Sequence, residues 1–89
     1  MTSVPHLSVV RVEEGSPAER ARRLYAEAQA AALEQIAELE TQLDNVIAVA
    51  QSIAEGGDIY PAGVRELCRR TAEDAFARRQ TLGALATRK

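Results

Sequence analysis

The sequence predicts an all-α protein, an antiparallel helical hairpin with a long first helix and a shorter second one, which dimerises into a four-helix bundle. Residues 1–15 form an extended or strand-like N-terminal segment or tail, and residues 16–89 form the hairpin domain. Three observations lead to this reading. A helix-start signal stands at Gly15-Ser16-Pro17-Ala18-Glu19. A long stretch free of further Pro or Gly follows, with apolar residues at helical spacing. The run Gly56-Gly57-Asp58-Ile59-Tyr60-Pro61 then separates it from a second amphipathic stretch.

The first helix begins where Ser16 can act as N-cap, Pro17 as the first helical residue and Glu19 as the reciprocal partner of a capping box. From there to Glu55 the chain is rich in Ala, Glu, Gln and Leu, all strong helix formers. A helix over this stretch runs roughly 57 Å at ~1.5 Å per residue. With Leu39 as reference and ~100° per residue, Ala21, Tyr25, Ala28, Ala32, Ile36, Leu43, Val46, Ala50 and Ile53 share one face. Leu33 and Ile47 widen that face on one side, and Leu24 and Val49 widen it on the other. The arc reaches about 200°, more than one neighbouring helix covers.

The turn is read from residue chemistry. Gly56 is placed as the left-handed residue that ends the first helix. Tyr60 precedes a proline and is biased to extended backbone. Pro61 fits the first position of the second helix, with Tyr60 as its N-cap. So short a connection makes the helices antiparallel neighbours. The second helix extends from about Pro61 to Leu85. Val64, Leu67, Cys68, Thr71, Ala75, Leu82, Leu85 and Ala86 form its apolar stripe. Being shorter, it leaves the first turns of the long helix uncovered, and an uncovered apolar face of that length calls for a partner.

Composition points the same way. Hydrophobic residues make up 46% of the 89, but 17 are Ala, and the chain has no Trp, one Phe and two Tyr. Burial stabilises by only about 25 cal/mol per Å2 of apolar surface, so a single copy has a thin core. Small domains in that position use a disulfide, a metal or a second copy. One cysteine excludes an internal disulfide, and one histidine beside one cysteine makes a poor zinc site. The proposed self-association face comprises Leu24, Tyr25, Ala28, Ala32, Ile36, Leu39, Leu43 and Val46.

The net charge is −2, which exerts no general attraction on nucleic acid or anionic lipid. Residues 16–55 are acidic and residues 56–89 basic, so the two helices suit each other electrically. No stretch approaches the ~18 apolar residues of a membrane span. No secretory signal is evident at Met1-Thr2-Ser3-Val4-Pro5-His6, and a cytoplasmic protein with reduced Cys68 is expected. The segment His6–Val12 has β-branched residues in partial alternation, read either as a loose tail or as a strand added to its symmetry mate or to a partner's sheet edge.

Nothing in the sequence assembles a catalytic constellation, a cofactor motif or a small-molecule site. His6, the lone histidine, lies in the N-terminal segment, and Cys68 lies on the packing stripe. Two arginine groups are candidates for partner or anion contact. Arg20, Arg22 and Arg23 oppose the dipole at the start of the first helix, and either pair with Glu19 and Glu27 or meet an acidic patch elsewhere. Arg65, Arg69 and Arg79 flank Phe76 on the second helix, and either pair with the acidic first helix or form a binding stripe. The leading reading is therefore a non-enzymatic interaction or scaffold module that self-associates and binds another protein. A monomeric inhibitor or regulator of a larger partner is the alternative, and a nucleic-acid binder using the basic stripe is a second alternative.

Overall fold

The structure is a computed structural model and describes residues 15–88. The expected N-terminal segment, with His6, falls outside the described residues apart from Gly15. Helix α1 spans Pro17–Ala54, a single 3-10 turn spans Gly57–Ile59, and helix α2 spans Ala62–Ala86. Chain contacts divide the molecule at Ala32/Leu33. The part from Leu33 onward is a helical hairpin. The part up to Ala32 contributes the first turns of α1.

The start of α1 is the capping box that its residue types predict. The Glu19 N–H donates to Ser16 Oγ at 3.0 Å, and the Ser16 N–H donates back to Glu19 Oε1 at 3.2 Å. The Arg20 N–H donates to the Ser16 carbonyl at 2.9 Å, closing the first turn. Pro17 has no N–H, so this terminus has three orphan N–H groups, and two of them are thereby satisfied. Ser16→Ala is expected to lower stability by about 1 kcal/mol and to fray the first turn, seen as faster amide exchange at residues 18–20. Unchanged exchange there would show that the box does not hold in solution.

At the turn the two glycines exchange their expected roles. Gly56 keeps a right-handed backbone, φ −82°, ψ −3°, and the left-handed residue is Gly57, φ +81°. The physical reason is visible at Gly56. Its N–H still donates to the Ile53 carbonyl at 3.1 Å, tightening the last turn of α1. A Cβ on Gly56 would lie 2.7 Å from Cδ2 of Tyr60. Gly56 is small so that the Tyr60 ring can lie against it, and Gly57 supplies the positive φ.

Tyr60 is extended as the following proline demands, φ −106°, ψ 137°. The boundary of α2 shifts by one residue from expectation. Pro61 is the cap and not the first helical residue, because its ψ is 144°. Its carbonyl accepts the first helical bond, from the Arg65 N–H at 3.0 Å. The Arg65 Nε also donates to the Tyr60 carbonyl at 3.1 Å, tying α2 to the turn. At the far end the Thr87 hydroxyl donates to the Gly83 and Ala84 carbonyls, both at 3.2 Å.

The hairpin packs along a line of small and medium residues. On α1 the buried or half-buried positions are Ile36, Glu40, Leu43, Ile47, Ala50 and Ala54, with Ile53 beside them. On α2 they are Cys68, Ala72, Ala75, Arg79, Leu82 and Ala86, with Arg65 and Gly83 beside them. Both lines alternate in steps of three and four, the spacing of an antiparallel coiled-coil seam. Among the described residues only Ala50, Ala72 and Ala75 are buried, and no large side chain is fully buried.

This seam is rotated from the wheel expected of the sequence. Leu39 and Val46, placed centrally there, are about half exposed, and Val64, Leu67 and Leu85 of the expected α2 stripe are exposed as well. The rotation follows from alanine size and from charge. Ala50, Ala72 and Ala75 bring the two helices together, and Arg79 reaches across to α1 on the same side.

Candidate interaction surfaces

The two sides of the hairpin differ in chemistry. On one side Arg79 bridges the helices. Its Nε donates to Asp44 Oδ1 at 3.0 Å, and its Nη1 donates to Glu40 Oε2 at 3.4 Å. The carboxylates are one turn apart on α1, so a single guanidinium spans both. Arg79 and Glu40 are half-buried and Asp44 more exposed, and such a partly screened pair contributes about 1 kcal/mol. Its larger role is register, because sliding α2 by one turn separates all three charges.

The other arginines of α2, two of them from the expected basic stripe, are also engaged. Arg69 lies between Glu66 and Glu73, with contacts of 2.6 and 2.8 Å. Arg70 reaches Glu66 at 3.2 Å, and Arg78 reaches Asp74 at 3.3 Å. Arg65 is taken by the Tyr60 carbonyl. Carboxylates therefore neutralise most of the stripe locally. Phe76 stands beside it, 52% exposed.

The Arg69 and Arg70 hydrogen bonds, Arg69 first, hold the Glu66 carboxyl down to about 2, from an ordinary 4.5. The same contact raises Arg69. A carboxyl depressed in the folded chain stabilises it fully above its unfolded value and loses that contribution as pH falls through the folded value. The Glu66 contribution is thus complete above about pH 5 and disappears between about pH 4.5 and 2. Glu66→Gln is expected to flatten this limb of a stability-against-pH curve, and salt should flatten it too, since the group is exposed. Parallel curves for the two proteins over that range would contradict the pairing.

The other side of the hairpin is apolar. Leu39, Leu43, Leu82 and Leu85, with Ala77, Thr81 and the charged Arg78, line a shallow groove of about 500 Å3. Val46, Val49, Ile53 and Cys68 line a second depression further toward the turn. Leu67, 64% exposed, falls on the same side by its helical position. Cys68 is free and half-buried in the seam.

The residues expected to form the self-association face divide among these settings. Ile36 and Leu43 are half-buried in the hairpin seam, while Leu39 and Val46 are exposed beside it. Leu24, Tyr25, Ala28 and Ala32 are exposed, as is every residue from Ala21 to Gln35. Tyr25 is 66% exposed. Of the first arginine group, Arg22 and Arg23 are exposed and Arg20 is half-buried. The Glu19–Arg23 and Arg23–Glu27 pairs that the spacing suggests do not form among the described residues.

Sequence reasoning missed the role of Ala72 and Arg79. Ala72, which the sequence reading gave no role, is buried, and Arg79 is a bridge between helices. The signal was present: Glu40 and Asp44, four residues apart on α1, stand opposite one arginine of α2. Among the described residues no helix is long and apolar enough to cross a membrane. No group of three or more His, Cys, Asp or Glu that could hold a metal ion occurs among them either. Comparison with protein-family models, curated proteins and solved structures finds no match.

Proposed function

We propose that this chain is a non-enzymatic helical interaction module that self-associates into a bundle and binds another protein. One observation carries the reading. The hairpin buries three alanines and no large side chain fully, while eleven large hydrophobic residues stand exposed among the described residues. A core of that size contributes little against the entropy of ordering two helices. A second copy supplies the missing burial, as small domains without disulfides or metals require.

The stretch Pro17–Ala32 supports the second half of the proposal. Leu24 and Tyr25 are exposed there and adjoin Arg22 and Arg23 in sequence. Aromatic residues and arginines dominate binding energy at protein interfaces, and an acidic patch on another protein suits this group. The engaged arginines of α2 weigh against a nucleic-acid role, which needs free cations facing phosphate.

The test is light scattering behind size exclusion at several loading concentrations. A mass of two or more chains that falls on dilution is expected. A single-chain mass at every load would overturn self-association.

A further inference from the structure

We infer that the first part of α1, Pro17–Ala32, is a conformational device: an arm that unwinds and reforms by itself while the hairpin from Leu33 onward stays folded. A partner that meets Leu24 and Tyr25 then completes the helix that carries them. Only this last consequence rests on the partner binding proposed above; the separate opening of the arm does not.

The two parts of α1 are held by different forces. From Ile36 to Ala54 every turn of the helix carries a buried or half-buried residue, and Arg79 ties Glu40 and Asp44 to α2. From Ala21 to Gln35 every residue is exposed. Packing of one face supplies most helical stability in proteins, and this stretch has almost none. Nor is it braced along its own surface. The Glu19–Arg23 and Arg23–Glu27 pairs do not form among the described residues, whereas α2 carries Arg69–Glu66, Arg69–Glu73, Arg70–Glu66 and Arg78–Asp74. Arg20, Arg22 and Arg23 also oppose the dipole in the first turns.

Local terms are what keep the arm helical. The capping box of Ser16 and Glu19 clasps its far end. Ala26, Ala28, Ala30, Ala31 and Ala32 lead into the hairpin, and alanine is the best helix former. Because the arm continues a helix that the hairpin already holds, it needs no costly nucleus. Each residue then extends the helix by a propagation factor of only about 1–1.6 in the cold, so helix and coil stay close in free energy. Arg22, Arg23, Leu24 and Tyr25 lie on the side of the alanine run remote from the hairpin and share a helical arrangement only while the arm is wound. A partner that selects that arrangement draws the equilibrium toward it, and its apparent affinity falls with the fraction of arms that are unwound.

Residue-by-residue amide exchange on the full chain, at two protein concentrations, tests this. Amides 20–27 are expected to be protected at least about tenfold less than amides 40–54, since local opening precedes global opening. Their rates should be the same at both concentrations. Ala30→Gly acts on the helix alone, because at ~100° per residue position 30 faces away from Leu24, Tyr25 and Ala28. It is expected to speed exchange at 20–27 roughly fourfold and to leave 40–54 unchanged. Equal protection of the two stretches, or an equal acceleration of both by Ala30→Gly, would overturn the arm as a separate unit. Protection at 20–27 that rises with concentration in step with 40–54 would overturn it too, placing the arm inside the assembly. Protection at 40–54 that ignores concentration, with 20–27 still fast, would remove self-association and leave the arm standing.

Discussion

Leu39→Asp is expected to abolish self-association and most of the helical signal together. Leu39 is 49% exposed in the single hairpin, so an aspartate there removes little packing within one copy. In the proposed bundle the same position is enclosed by leucines of both copies, and an unpaired charge enclosed in that way costs several kcal/mol. A hairpin whose buried core is three alanines does not hold its fold once the second copy leaves. The circular dichroism of Leu39→Asp should therefore resemble that of a frayed helix, without a cooperative melt. Tyr25→Asp tests the stretch before the hairpin in the same way. A cooperatively melting, single-chain Leu39→Asp protein would show that the hairpin is self-sufficient.

Ala72→Leu is the second large effect. Ala72 is 5% exposed and faces α1 in the part of the seam that also holds Ala50 and Ala75. At Ala50, Ala72 and Ala75 the seam holds only a Cβ methyl from either helix. Three added carbons force the helices apart or twist the side chain from its rotamer, at about 1–3 kcal/mol. Separation also lengthens the Arg79 contacts to Asp44 and Glu40, now 3.0 and 3.4 Å. The expected result is a lower denaturation midpoint, with Arg79→Met losing much of its own effect in the Ala72→Leu background, since the two sites share the interface. A midpoint equal to or above that of the parent would mean that the helices do not approach along the alanine line.

Much of the fold was legible from local chemistry. Ser16, Pro17 and Glu19 announce the start of α1 because a capping box needs only residue types at fixed spacing. Gly56, Gly57 and Pro61 announce the reversal for the same reason, although which glycine takes positive φ depends on where the Tyr60 ring lies. The seam was harder to read. A hydrophobic wheel gives weight to Leu39 and Val46 and little to Ala50 or Ala72, yet small residues decide where two helices approach closely. An arginine on that line reads as solvent-facing until Glu40 and Asp44 are seen opposite it. The interaction surfaces were legible only as an excess of apolar area, because a wheel does not distinguish the side that packs within the chain from the side left open.

The central claim is that one copy is incomplete and a second completes it. Thermal melting of the unmodified chain, followed by circular dichroism over a wide range of protein concentration, tests it most directly. Folding coupled to association makes the midpoint depend on concentration. The account predicts a melting temperature that rises steadily with concentration. A cooperative melt with the same midpoint at every concentration would contradict it.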